Sequence, residues 1–160
     1  MDNAEYFKTF AVKWSDFDVN RHLRNTSYSE YATHVRMSFL EDHGYAYPVF
    51  EELQIGPILT QEDISYLKET QMNSELKVNM RILALSAEGS LFRLKHEFFQ
   101  ADGTLAARML INGAWLDRKR RRPTIPPDGI LQAFKQIPRD VNYDAGYFDA
   151  TRIAARAKES

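Results

Sequence analysis

Asp18, Asn20 and His22 stand at alternate positions in a polar loop that runs directly into a helix-forming stretch. A carboxylate, an amide and an imidazole at that spacing can attack a carbonyl carbon or activate water against it. The first turn of a helix adds free backbone N–H groups and the positive end of the macrodipole, which accept the negative charge that grows on a carbonyl oxygen. The combination suits acyl transfer. The same residue types also cap helices and bridge turns, and on the residues alone both readings stand open.

The helix that must position this loop is marked by Tyr28, Tyr31, Ala32, Val35 and Phe39, spaced three and four apart on one face. Asn25, Thr26 and Ser27 are each good N-caps, and Ser27 with Glu30 has capping-box spacing. Gly44 is expected to close the helix, with Pro48 a little beyond. Before the loop, Tyr6, Phe10, Val12 and Trp14 share one parity of a strand over residues 6–14. Residues 44–57 read as irregular, with Tyr45, Tyr47 and Phe50 as packing more readily than as cover for a pocket.

A run of strands follows. Residues 58–69 form the first. Leu76, Val78, Met80 and Ile82 alternate with polar residues in the next, then Phe92, Leu94, His96 and Phe98, then Leu105, Ala107, Met109, Ile111, Gly113 and Trp115. Residues 87–90 make a turn, and Asp102-Gly103 is a hairpin signal. Pro126-Pro127-Asp128 opens a short helix to Ile137. These elements predict an α+β domain over residues 1–138, the long helix packed on one face of a curved antiparallel sheet. A polar tail at 139–160, with a weak helical signal at 150–157, is expected to be partly ordered or to dock on a partner subunit.

Composition narrows the chemistry. One domain is expected from 160 residues, and the 44% hydrophobic content supports a core without staples. With no cysteine, a Cys nucleophile, a Cys-bound metal and a disulfide framework are all excluded. A net charge of −1 argues against nucleic acid as partner. The absence of a long apolar run argues against a membrane span, and the N-terminus lacks a signal-peptide pattern; the default expectation is cytoplasmic. Asp16-x-Asp18-x-Asn20 opens like a calcium loop, but Arg21 and Ser27 hold the positions where such a loop needs Gly and Glu. No histidine pairing fits zinc, no G-x-S-x-G elbow is present and no Gly-rich phosphate loop occurs, so no metal site is expected.

Asp16, Asp18, His22, Asn25 and Tyr28, followed by Val35-Arg36 and Phe39-Leu40, resemble the pattern Asp-x-Asp-x-x-Gly-His-Val-Asn-Asn-x-x-Tyr and the helix after it in hotdog-fold thioesterases of the 4-hydroxybenzoyl-CoA thioesterase type. The segment from Asp18 to Asn25 is also similar to the Asp-x-Asn-x-His signature of acyl-acyl carrier protein thioesterases, and Tyr66 to Glu69 resembles the strand in which those enzymes carry a catalytic Glu. Arg21 and Arg24 depart from the first pattern, replacing a Gly and an Asn. The resemblance implies a hotdog fold and hydrolysis of an acyl-CoA or acyl-acyl carrier protein thioester. No metal or redox cofactor is implied, coenzyme A entering only as part of the substrate. It implies Asp18 as nucleophile or general base and the Asn25 backbone N–H as the group polarising the carbonyl. Asn20 and His22 would orient Asp18 or the water, and Glu69 would be a second carboxylate. Tyr28 and Tyr31 fall to the acyl pocket. It further implies a homodimer, or a dimer of dimers, with sites built between subunits.

The basic run Arg118–Arg122 has three readings: a solvated strand end first, a patch for coenzyme A or carrier-protein phosphates second, and a nucleic-acid contact a distant third. Because an extended run alternates faces, Arg118, Arg120 and Arg122 are the ones that would meet one ligand. His34 and His43 read as surface residues and His96 as a satisfied, half-buried one. A non-catalytic acyl-CoA-binding protein on the same fold is the alternative function. A hotdog dehydratase is disfavoured because its His and Phe-Pro-Gly-type segment are missing.

Overall fold

The computed structural model describes residues 4–150. The strands are β1 (Tyr6–Ala11), β2 (Ile55–Tyr66), β3 (Glu75–Leu85), β4 (Leu91–Gln100), β5 (Leu105–Asp117) and the two-residue β6 (Arg122–Pro123), and the helices are α1 (Asn25–Asp42), α2 (Tyr47–Leu53) and α3 (Asp128–Lys135). The sheet is antiparallel in the order β1-β3-β4-β5-β2, with β6 paired to the end of β5. Strands consecutive from β3 to β5 are joined by tight turns, whereas β2 reaches the far side of β5. β2 is therefore an edge strand, and its outer side pairs with nothing among the described residues. This is the hotdog arrangement, α1 lying on the sheet's inner face. No helix among the described residues is long and apolar enough to cross a membrane.

The alternation read from sequence is the core. Val78, Met80, Ile82, Leu94, Phe98, Met109, Ile111 and Trp115 are all buried, and against them α1 buries Tyr28, Tyr31, Ala32, Val35, Phe39 and Leu40. Each large side chain taken fully from water contributes about 1.5–3 kcal/mol of transfer free energy, so this one face supplies most of what holds the helix down. Gly44 ends α1 as expected, at φ +89° just past the C-cap His43. Its N–H donates to the Glu41 carbonyl at 3.0 Å and that of Tyr45 to the Leu40 carbonyl at 2.8 Å, a Schellman closure.

Several expectations are corrected. α1 starts at Asn25 with Arg24 as N-cap and no side-chain cap, so neither Asn25, Thr26 nor Ser27 caps it. The Ser27 side chain instead is buried and leans on the Asp16 carbonyl at 3.5 Å. β1 stops at Ala11 because residues 14–16 turn into a 3-10 helix, which throws Trp14 out of the strand parity to 72% exposure. Residues 44–57 contain α2, too short to show a helical repeat, with Phe50 its one buried residue and packed on Trp115 at 5.9 Å. β2 ends at Tyr66 because the Leu67 and Lys68 amides both fold onto the Ala106 carbonyl, leaving Glu69 in a loop. Residues 118–121 form a turn, so the basic run does not alternate faces. Asp117 Oδ1 accepts the Lys119 and Arg120 amides at 2.9 Å, and Arg121 is left-handed at φ 55°.

The tail begins by packing on its own sheet. The Ile82 amide donates to the Pro138 carbonyl, the Asp140 amide to Ile82 and the Asp144 amide to Leu83, while Asp140 pairs with Lys95 and Phe148 is buried. The helical signal at 150–157 lies, but for Ala150, outside the described residues.

One polar island interrupts the core. His96 is fully buried on β4, and its Nδ1–H donates to the Asn79 carbonyl at 2.7 Å, leaving Nε2 to accept from Arg36 Nη1 at 3.1 Å. It is satisfied as expected, but fully rather than half buried. Burial, reinforced by the Arg36 charge, pushes its pKa from 6.5 down to about 3. His34 is exposed, as is His43, whose Nδ1–H donates to the Phe39 carbonyl at 2.8 Å.

Two stability predictions follow from this packing. A Cβ on Gly113 would sit inside contact with the Phe92 ring and 2.9 Å from the Ile58 carbonyl oxygen, so Gly113→Ala lowers the urea unfolding free energy by about 1–3 kcal/mol. His96 has a folded pKa below its unfolded one, so the unfolded chain binds the extra proton between the two. That contribution is complete above pH 6.5 and is lost as pH falls towards 3. Urea midpoints measured from pH 7 down to 4.5 fall more steeply in wild type than in His96→Gln.

Candidate active site

The loop before α1 is held by a dense set of local bonds. Asp16 is its hub: Oδ2 accepts the Lys13 amide at 2.9 Å and the Tyr31 hydroxyl at 2.6 Å, and its carbonyl accepts the Arg24 amide at 2.7 Å. Phe17 and Leu23 pair as an antiparallel bridge and bury their side chains. Between them the chain reverses, with the Asp18 amide donating to the His22 carbonyl at 2.9 Å and the Arg21 amide to the Asp18 carbonyl at 3.1 Å. Arg21 takes the left-handed conformation, φ 64°, where the resembling pattern has Gly.

Asp18 Oδ1 accepts the Asn20 and His22 amides at 2.8 and 3.0 Å, as an Asx turn. Its Oδ2 makes no hydrogen bond among the described residues. The uncapped start of α1 leaves the Asn25 and Thr26 amides without a partner among the described residues, whereas the Ser27 amide is taken by the Arg24 carbonyl at 3.0 Å. Asp18, with one oxygen unpartnered among the described residues, and Asn25, with its amide open, thus border the same cleft.

That cleft, about 610 Å³, is lined by Asp18, His22, Asn25 and Tyr28 from the loop and helix and by residues 66–70 from the end of β2. Tertiary structure brings His22 to Glu69, 47 positions away, with Nε2···Oε1 at 2.9 Å. Both side chains are well exposed, 56% and 81%, so the pair adds little to stability. Tyr28 is buried, and its hydroxyl meets that of the equally buried Thr70 at 3.1 Å. Burial raises the Tyr28 phenol and the Thr70 hydroxyl bond opposes it, the net shift being upward, so it stays protonated at neutral pH.

Asp18, His22, Asn25, Glu69 and Tyr28 are therefore brought together. Asn20 contributes its backbone amide to Asp18 from an exposed position and does not line the cleft. Tyr31 lies behind the cleft, its hydroxyl spent on Asp16; burial, then that bond, raises its phenol. Arg118, Arg120 and Arg122 lie apart in this chain, since Asp117 pairs with Ile55 at one end of β2 and the cleft is at the other. Eleven residues of strand put roughly 35 Å between them. Arg118 is ion-paired with Glu51. Thr70, Arg24 and Lys68 also line the cleft. Periodicity gave no sign of Thr70, whose placement depends on the turn after β2, while Arg24 was visible as a departure from the pattern.

Residues 12–134, well over half of the chain, match the thioesterase-like superfamily. Among curated proteins none matches the sequence. Solved structures of similar fold include a Staphylococcus aureus protein in complex with CoA (TM-score 0.79, 21% identity, covering 88% of this chain and 90% of that one). A DHNA-CoA thioesterase from Staphylococcus aureus gives 0.74 at 16% identity, covering 82% and 89%. A 1,4-dihydroxy-2-naphthoyl-CoA thioesterase from Synechocystis gives 0.73 at 16% identity, covering 88% and 100%. At such identities these likenesses establish the fold.

The loop geometry yields its own prediction. A non-glycine residue pays about 1–2 kcal/mol for the left-handed region, and glycine loses about 0.5–1 kcal/mol more backbone entropy on folding. Arg21→Gly is therefore neutral to about 1 kcal/mol stabilising by urea denaturation, the opposite of Gly substitution in a helix or strand.

Proposed function

The chain belongs to the thioesterase-like superfamily and is a thioester hydrolase; on that premise we propose that its substrate is an acyl-CoA and that Asp18 and the start of α1 perform the hydrolysis. One observation carries the reading: Asp18 and Asn25, whose amide has no partner among the described residues, line a single cleft. The thioester carbonyl oxygen would lie against that amide, whose dipole is already oriented and costs no reorganisation as the oxyanion forms; one such donor is worth about 3 kcal/mol in other systems. Asp18, with Oδ1 held by two backbone amides, presents Oδ2 either to the carbonyl carbon or to a water that attacks it. In the second route Oδ2 takes the proton, the tetrahedral intermediate expels the thiolate, and the acid and thiol leave. His22 steers Glu69 to the cleft and serves as its hydrogen-bond partner.

The reading also accounts for the distant arginines. β2 offers a twelve-residue edge with no partner among the described residues, and two copies pairing these edges antiparallel would form one continuous sheet. The start of one β2 then lies beside the end of the other, so a second copy's Arg118, Arg120 and Arg122 come to the mouth of this cleft. Guanidinium groups there suit the phosphates of coenzyme A. The CoA-bound structural neighbour supports the same substrate class. A homodimer is the minimal form in which the site is complete.

Asp18→Asn is the test, because the amide oxygen can still accept the Asn20 and His22 N–H groups and the loop keeps its shape. Thiol release from a panel of short, medium and aromatic acyl-CoAs and acyl carrier proteins is expected from wild type, and to fall by about 10²–10⁴ in Asp18→Asn with an unchanged circular dichroism spectrum. Saturable CoA-thioester binding with no thiol released by wild type would replace hydrolysis with the binding function.

A further inference from the structure

A second cavity, about 190 Å³, lies under the C-terminal half of α1, between the helix and the sheet, and shares no lining residue with the cleft. Its walls are nearly all apolar, with Met37, Leu40, Met80, Leu94, Phe134 and Ile137 among them. The exception is Arg36, beside Thr33. Some eleven residues of helix, roughly 16 Å, separate Arg36 from the amides at Asn25.

The Arg36 guanidinium has an unusual set of neighbours. Nη1 donates to His96 Nε2 at 3.1 Å and Nη2 to Thr33 Oγ1 at 2.9 Å, and the Thr33 hydroxyl in turn donates to the Ser29 carbonyl at 2.8 Å. These bonds orient the guanidinium without neutralising it. His96 is fixed as the neutral tautomer by its bond to Asn79, and threonine carries no charge. Among the described residues no carboxylate lies within ion-pair distance of Arg36, and Glu62 acts on it only through its field. Partial burial pulls the Arg36 pKa down, to about 10. Of five N–H donors, two are used.

A half-buried cation with spare donors at the wall of an apolar cavity is matched by a ligand of opposite charge with an apolar body. We infer that this cavity binds a small free carboxylic acid, its carboxylate on Arg36 and its short aliphatic tail between α1 and the sheet. At about 30 Å³ per water-sized group, 190 Å³ holds roughly six such groups, the carbons of a six-carbon acid whose carboxylate oxygens lie on Arg36 at the wall. Acids of this class are also what thioester hydrolysis releases, but the site stands on Arg36 and its cavity and does not require that activity.

Titration calorimetry of the full chain with hexanoate and with 1-hexanol, at neutral pH and without acyl-CoA, tests the inference. Hexanoate saturates one site per chain and binds at least about tenfold more tightly than the alcohol, a difference of about 1.4 kcal/mol. Arg36→Met abolishes that preference. Because Arg36→Met also strips His96 of a donor, a second readout is taken on wild type: hexanoate shifts the Arg36 Nε–H resonance and hexanol does not. The inference is overturned if hexanoate gives no saturable heat, if acid and alcohol bind alike, or if hexanoate moves the Asn25 and Thr26 amides and leaves Arg36 unmoved. None of these outcomes bears on whether wild type releases thiol.

Discussion

Asp16 accepts the Tyr31 hydroxyl and the Lys13 amide on its carboxylate and the Arg24 amide on its carbonyl, and through these three bonds the loop is tied to the helix it precedes. Tyr31 sits nearly two turns into α1 with its ring stacked on Phe10 of β1, so the same bond links strand, loop and helix. The consequence is geometric. With Arg24 anchored as N-cap, its side chain offers no oxygen to the first turn, and the Asn25 and Thr26 amides remain without a partner among the described residues, Asn25 at the cleft. A serine or aspartate at the N-cap would have strengthened the helix by about 1 kcal/mol and consumed one of the neighbouring donors. The open donors exist because that stabilisation is absent.

Asp18 obeys a related constraint. Two backbone amides hold one carboxylate oxygen, which freezes the side chain's rotation and leaves the second oxygen without a partner among the described residues. The left-handed Arg21 is the local cost of this reversal. Strain at a loop next to reacting groups is tolerated where surrounding bonds over-determine it, and here the Phe17–Leu23 bridge and the Asp16 hub do so on both sides.

The two cavities of this fold illustrate opposite solutions for polar groups. In the cleft, His22 and Glu69 are largely in water and their pairing is a matter of position more than energy. Beneath α1, Arg36, Thr33, His96 and Asn79 form a chain of oriented donors and acceptors in which the one charge, on Arg36, is unmatched among the described residues. Low dielectric makes the satisfied bonds in that chain strong and the unmatched charge expensive.

Much of this was legible in the chain itself. Period-2 alternation over β3, β4 and β5 and the three-four spacing on α1 identified the core residues, because burial on one face leaves that imprint on a sequence. The Asp18-to-Tyr28 pattern marked residues that line the cleft, since short loops bond mainly within themselves. What the sequence could not decide was anything that depends on where an element stops or what lies across from it. The end of β2 turns on two amides finding the Ala106 carbonyl, which moves Glu69 off the strand and onto His22. The N-cap was decided by Asp16 taking Arg24, against the stronger local propensity of the three residues that follow. The distance of the basic run from the cleft came from β5 pairing antiparallel to β2, and the charge left on Arg36 from a histidine sixty positions away being locked neutral. Local patterning records which face of an element is buried; partners distant in the chain, whose bonds no local pattern encodes, decided which polar groups remained free to act.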